Sequence, residues 1–313
     1  MDNGGKLDVA GVHSPGELAE RLRRVGYLAD RRLATALFLS LALERPLLLE
    51  GDAGVGKTEV ALSLARIFGG NLIRLQCYEG IDAQQAVYDW DYARQILHLK
   101  ALETVGSATG RDVRSMEAEL YSESFLIERP LLRSISETDS GHPPVLLIDE
   151  IDRADDEFEA FLLEVLSTFA ISIPELGQRV AEVTPIVILT SNRTRELHDA
   201  LKRRCLYQWV EHPDFVREVE IVRMRAPGVE ADLARQVTAV VQELRGIGLY
   251  KPPGVAETID WAEALSRLSA TVVTAEWLDA TMGAVIKHRE DEERLRSFGI
   301  PELLRIAMGR QSS

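Results

Sequence analysis

One stretch constrains this chain more than any other: Pro46-Leu47-Leu48-Leu49-Glu50-Gly51-Asp52-Ala53-Gly54-Val55-Gly56-Lys57-Thr58-Glu59. An apolar run that reads as a buried strand leads into Gly-x-x-x-x-Gly-Lys-Thr, from Gly51 to Thr58, and a helical pattern follows at once. Strand, glycine-rich loop and helix in that order make a phosphate-binding P-loop. Glycines at 51, 54 and 56 let the backbone turn tightly, so that successive N–H groups converge on the β- and γ-phosphates of a nucleotide at the positive end of the helix. Lys57 adds a mobile cation, and the Thr58 hydroxyl is placed to coordinate Mg²⁺. Gly51, Asp52, Ala53, Gly54, Val55, Gly56, Lys57, Thr58 and Glu59 are therefore the cofactor-binding candidates, for a nucleotide with its Mg²⁺.

A second segment carries acids. Pro143-Pro144 introduces Val145-Leu146-Leu147-Ile148-Asp149-Glu150, an apolar strand that delivers two carboxylates to the carboxyl edge of a parallel sheet. By itself this could be a solvated strand end, but downstream of a complete P-loop it reads as a Walker B. Asp149 is placed to hold the metal and Glu150 to polarise an attacking water. Ile151-Asp152-Arg153-Ala154 continues it, and a helix is expected from Asp155 to Phe169 with Phe158, Phe161, Leu162, Val165 and Phe169 facing in. Pro185 to Asn192 reads as another buried strand with a polar tip. If that strand lies between the other two, Asn192 either orients the water beside the γ-phosphate or caps the turn.

The rest of the chain fits around these strands. Ser14-Pro15-Gly16-Glu17 is a capping box opening a helix to Arg24, and a second helix is expected from about Ala29 to Leu43. Val25-Gly26-Tyr27 between them could wall an adenine ring or be ordinary packing. The helix after Thr58 stops at Gly69-Gly70-Asn71, and Leu72 to Leu75 is the next strand, which implies a parallel sheet. From Cys77 to about Ser140 the pattern exceeds a simple crossover and reads as a helix carrying an insertion. A hairpin is expected between Ile171 and Val180, then Asp199 to Arg204 and a last strand from Cys205 to Val210. His212-Pro213 marks a boundary, after which helices are expected over Asp214–Met224, Glu230–Leu244, Thr258–Leu268 and Ala275–Ile286, with Lys251-Pro252-Pro253-Gly254 as a rigid break. The charge run Lys287 to Arg294 reads as a solvated helix face. The expected fold class is α/β, a P-loop αβα sandwich with a parallel sheet in residues 1–212, insertion at about 80–140, followed by a small α-helical lid in 213–313.

The charge balance narrows the function. With 36 Lys and Arg against 50 Asp and Glu, the formal charge is −14, which argues against a general grip on nucleic acid. No apolar run reaches membrane-spanning length and the N-terminus opens without a signal-peptide core, so a cytoplasmic protein is expected. Two cysteines and six scattered histidines suggest neither a disulfide framework nor a transition-metal site.

Taken together, the P-loop, Walker B, polar strand tip, Arg203-Arg204 before the last strand and helical tail resemble the AAA+ ATPases. The MoxR branch, and within it the CoxD-like ATPases encoded beside carbon monoxide dehydrogenase and related molybdenum hydroxylases, is resembled most. The residues concerned are Gln76 to Asp82, Tyr88 to Gln95, Leu201 to Tyr207 and Lys251 to Trp261. The resemblance implies a ring, a hexamer, with ATP bound between subunits. It supports Asn192 as a sensor and makes Arg204 the arginine finger that reaches the neighbour's γ-phosphate, with Arg203 as its substitute. It also implies a partner carrying a von Willebrand factor A domain and a client metalloenzyme matured or remodelled by the ring. Where many relatives carry a lid arginine, this chain has Ala256-Glu257-Thr258, which leaves Glu257 without an assigned role. Two other readings compete: a nucleic-acid-directed AAA+ motor, opposed by the net charge, and a nucleotide-gated scaffold with negligible hydrolysis, opposed by Asp149 and Glu150.

Overall fold

A computed structural model of the chain describes residues 11–104, 113–137 and 142–310. Parts of the expected insertion, 105–112 and 138–141, lie outside them, as do both chain ends. In chain order the elements begin with α1 (Pro15–Arg24), α2 (Arg31–Ala42), β1 (Leu47–Glu50), α3 (Lys57–Phe68), β2 (Leu72–Gln76), α4 (Ala83–Val87), β3 (Tyr88–Trp90), α5 (Tyr92–Thr104) and α6 (Val113–Leu120). They continue with β4 (Leu126–Glu128), α7 (Pro130–Ser136), β5 (Val145–Asp149), α8 (Asp156–Thr168), β6 (Ala170–Ile173), β7 (Gly177–Val180), β8 (Ile186–Ser191), α9 (Asp199–Arg204) and β9 (Leu206–Trp209). The helices α10 (Phe215–Arg225), α11 (Ala231–Gly246), α12 (Val255–Arg267), α13 (Ala275–Val285), α14 (Arg289–Phe298) and α15 (Ile300–Arg310) complete it. No helix of the described residues is long and apolar enough to cross a membrane.

The chain divides into two compact units. One comprises the described residues of Met1–Leu18, Ala34–Glu50 and Leu64–Gln208; the other comprises Ala19–Leu33, Gly51–Ser63 and the described residues of Trp209–Ser313.

The first unit is built on a five-stranded sheet in the order β2-β5-β8-β1-β9, in which β2, β5, β8 and β1 run parallel. Every residue of β1, β5 and β8 is buried, as a sheet covered on both faces requires. At the edge, β2 alternates: Ile73 and Leu75 point into the core and Arg74 points out. Register pairs Gln76 with Asp149 and Glu50 with Ser191, so polar residues line up along the carboxyl edge. The core joins Leu48, Leu75, Ile148 and Leu189 to Leu131 and Leu132 of α7 and to Phe158 and Leu162 of α8. In α8, Phe158, Leu162, Val165 and Leu166 are the buried stripe. Phe161 and Phe169 also pack against this core, as the sequence reading has it, though both are only half-buried. Asp155 caps the helix, and Phe169 terminates it in the left-handed region, φ 45°. Tyr88–Trp90 pairs antiparallel with Leu126–Glu128 inside the insertion.

The second unit packs α10 to α15 around Val222, Val237, Val240, Trp261, Leu265, Leu278 and Leu303. The charge run Lys287 to Arg294 is not wholly solvated, because Asp291 is buried and accepts the N–H groups of Tyr250 (2.6 Å) and Lys251 (3.0 Å). Those amides precede Pro252-Pro253, whose nitrogens offer no donor, so a side-chain acceptor fixes the entry to the turn.

Candidate functional site

The phosphate loop belongs with the helical unit, and its shape is set by close backbone approach. A Cβ on Gly51 would lie 2.3 Å from the carbonyl oxygen of Val210, so only glycine fits. Gly54 has φ 78°, and its carbonyl accepts the N–H of Val255 at 2.9 Å. Val55 is buried, whereas Asp52, Ala53 and Gly54 are exposed at the apex. Gly56 turns the chain again, at φ 93°, into α3. The ammonium of Lys57, in a residue only 6% exposed, donates to the carbonyls of Gly51 and Asp52 at 2.7 Å each. Thr58 and Glu59 form the first turn of α3, where Glu59 accepts from Arg225 at 2.7 Å.

Two side chains flank this loop. Tyr27 is buried, its ring 3.8 Å from where a Cβ on Gly56 would be, and burial pushes its phenol up. Its burial favours ordinary packing, while Val25 and Gly26 line an open hollow of about 670 Å³ with Met224 and Arg225. The His212 ring lies 3.6 Å from the Asp52 carboxylate. Burial holds its pKa below the ordinary value, and the cations of Arg245 and Lys57 push the same way against Asp52 and Glu218.

The acid cluster belongs with the sheet unit, and side chains organise it. The Thr190 hydroxyl accepts the N–H of Glu150 at 3.0 Å and donates to the carboxylate of Asp149, tying both acids to β8. Asp149 is buried and pairs with Arg74 at 2.6 Å. Glu150 sits at φ 55°, ψ 51°, a left-handed conformation that costs a non-glycine residue about 1–2 kcal/mol. That turn carries its carboxylate out of the strand direction, to accept from Gln76 (3.1 Å), Arg153 (3.1 Å) and Asn192 (3.4 Å). The Arg74 guanidinium also donates to the Gln76 oxygen at 2.6 Å, which fixes the amide with its NH₂ toward Glu150. Asp152, 2% exposed, accepts from the N–H groups of Asn192 (3.2 Å) and Thr194 (2.8 Å) and from the Thr194 hydroxyl (2.7 Å). Among these acids Cys77 stays a thiol, pushed up to about 12 by burial and then by Asp149.

Asp149, Glu150 and Asn192 thus come together on adjacent strands. The two arginines of α9 part company. Arg204 donates to the carbonyls of Leu166 (3.4 Å) and Ser167 (2.7 Å) at the end of α8. Arg203 is exposed, and its side chain makes no hydrogen bond or ion pair to another described residue. Arg45 holds both in place by donating to the carbonyls of Arg203 (2.7 Å) and Arg204 (2.9 Å). Sequence reasoning missed Arg45 altogether, and it took in Arg74, Gln76, Asp152, Arg153 and Thr190 only as members of longer stretches, without a role. The period-2 alternation of β2, with Arg74 and Gln76 on its polar side, is the signal that could have found two of them.

Within the helical unit the donors fit a nucleotide phosphate: glycine-shaped backbone, the amino end of α3, a buried ammonium bonded to loop carbonyls and a hydroxyl at Thr58. Within the sheet unit, the buried carboxylate of Asp149 is of the kind a divalent cation takes. Against known families, the model of the AAA domain (dynein-related subfamily) matches residues 46–205, just over half of the chain. No curated protein matches it. The match begins at the residue before β1 and ends at Cys205, taking in the P-loop, the acid strand and the strand that carries Asn192. The chain belongs to the AAA family, in its dynein-related subfamily.

Proposed function

We propose that the chain hydrolyses Mg-ATP and works as a MoxR-type ring that remodels or matures a client metalloenzyme in the cytoplasm. The observation that carries the hydrolytic part is the Glu150 carboxylate, turned by a left-handed backbone and steadied by three donors, Asn192 among them. A carboxylate so held is suited to take the proton of an attacking water, with the Asn192 amide orienting that water. Lys57 and the N–H groups of the P-loop bind the phosphates, with residues 1–212 as the nucleotide domain and 213–313 as the lid. Thr58 and Asp149 would hold Mg²⁺, whose charge neutralises that of the transferring phosphoryl group.

AAA+ proteins commonly oligomerise, and a ring requires an arginine free to reach a neighbour's phosphate. Arg203, exposed and without a side-chain partner among the described residues, suits that task better than Arg204, which braces the end of α8. The hexamer, the von Willebrand factor A partner and the molybdenum-hydroxylase client rest on the resemblance of Gln76 to Asp82, Tyr88 to Gln95, Leu201 to Tyr207 and Lys251 to Trp261.

The test is ATPase rate against protein concentration, with mass determined with and without ATP, for the parent, Arg203→Ala and Arg204→Ala. Activity per protomer is expected to rise with assembly and to fall by about 10³-fold or more in Arg203→Ala. Full activity in a monomer would sink the ring. For the client, metal content of a molybdenum hydroxylase produced with and without the chain decides, and equal occupancy would remove that role.

A further inference from the structure

The helical unit holds the phosphate loop through a contact between two glycines. A Cβ on Gly254 would lie 2.6 Å from the Cα of Gly54 and 2.9 Å from its carbonyl carbon and oxygen; one on Gly54 would lie 2.9 Å from the Cα of Gly254. Gly254 has φ −83° and ψ −174°, extended backbone open to any residue, so glycine there answers the contact and nothing else. Next to it, the first amide of α12, Val255 N–H, donates to the Gly54 carbonyl at 2.9 Å. Glu257 turns back to accept the Gly254 N–H at 2.9 Å, closing the cap of α12. The turn is braced from behind. Arg245 donates through Nε to the Pro253 carbonyl (2.7 Å) and through both terminal nitrogens to Glu218 (2.7 Å each), a fully buried carboxylate.

We propose that Gly254 and Glu257 are positioning residues for the phosphate loop, forming a latch by which α12 holds the loop apex in its phosphate-binding shape. The proposal rests on the nucleotide reading above and assigns Glu257 a task where a lid arginine would otherwise stand. A loop already held from the lid has less freedom to lose when phosphate binds, and affinity gains accordingly. Glu257 acts through its hydrogen bond to the cap. Its negative charge, with Oε2 3.3 Å from where a Cβ on Gly54 would be, opposes a phosphate at the apex. The acceptor and the charge can therefore be separated.

The experiment titrates a fluorescent ADP analogue with Mg²⁺ into the full chain, alongside thermal unfolding, for the parent, Gly254→Ala, Glu257→Ala, Glu257→Gln and Gly228→Ala. Gly254→Ala and Glu257→Ala are expected to weaken binding by about tenfold, one decade in Kd. Glu257→Gln keeps the acceptor and should bind as tightly as the parent or tighter. Gly228 has open space around a built Cβ, so its variant controls for glycine replacement as such. Parent-like binding by a folded Gly254→Ala, or equal weakening in both Glu257 variants, overturns the latch. Should Gly254→Ala not fold, the Glu257 pair decides alone. A parent that takes up no analogue overturns the nucleotide reading and the latch with it, whereas a parent that binds as its variants do overturns the latch only.

Discussion

The phosphate loop is shaped by backbone, with glycines where a Cβ would collide with Val210 or Gly254 and a lysine folded onto its own loop carbonyls. The acid cluster is shaped by side chains: Arg74 and Gln76 of β2, Thr190 of β8, and Arg153 and Asn192 from the segments after β5 and β8 converge on two carboxylates. Backbone constraints give a fixed scaffold for binding a charge that does not move. A hydrogen-bonded side chain can instead release and exchange partners, which suits a carboxylate that must accept a proton. On the function proposed above, these two ways of holding atoms would give binding to one region and chemistry to the other.

That comparison can be broken from the loop side first. Arg245→Ala leaves Glu218 buried without its bidentate partner, behind the turn that touches Gly54. Losing one member of a buried pair costs about 3–5 kcal/mol. Urea unfolding should show that loss, and a cost under about 1 kcal/mol would mean that the ion pair does not brace the turn. On the acid side, Asp152→Ala removes the acceptor of three hydrogen bonds that seat Asn192 and Thr194. The expected loss is about 2–3 kcal/mol, with hydrolysis reduced more than nucleotide affinity. Undiminished hydrolysis in a folded variant would detach Asn192 from the chemistry.

Arg74→Gln sharpens the contrast with a smaller effect. Its side chain is 55% exposed, so solvent screens the pair with Asp149 and stability should change by less than about 1 kcal/mol. The Gln76 amide loses the donor that orients it, so the hydrolysis rate should fall while the melting temperature holds; an unchanged rate would leave Arg74 a surface ion pair. Smallest is a pH effect at His212, whose folded pKa is lowered by burial, Arg245 and Lys57. The unfolded chain then binds the proton more readily, so stability falls as pH drops below about 6.5, until the folded pKa is reached. His212→Gln should flatten the stability profile in that window, and an identical slope in parent and variant would contradict it.

Legibility from the sequence follows the same division. The P-loop was readable because its determinants are contiguous, from Gly51 to Thr58, and so were the apolar strands β1, β5 and β8, whose every residue is buried. Asp149 and Glu150 were readable as the end of such a strand. Of their partners only Asn192 was singled out; Thr190 looks like any strand residue, and Arg74 and Gln76 lie 75 and 74 positions away along the chain. Arg45, which fixes the carbonyls of Arg203 and Arg204, is 158 and 159 positions from them. The Gly254 contact was equally hidden, since a glycine after two prolines reads as a turn whatever it touches.

The most direct test is Glu150→Gln, with ATP-analogue affinity and single-turnover hydrolysis measured on the same preparation. Nucleotide affinity should stay at the parent value while hydrolysis falls by about 10²–10⁴-fold, the share of a positioned general base. Hydrolysis at the parent rate, or loss of binding together with loss of hydrolysis, would contradict the separation of binding and chemistry on which the account stands.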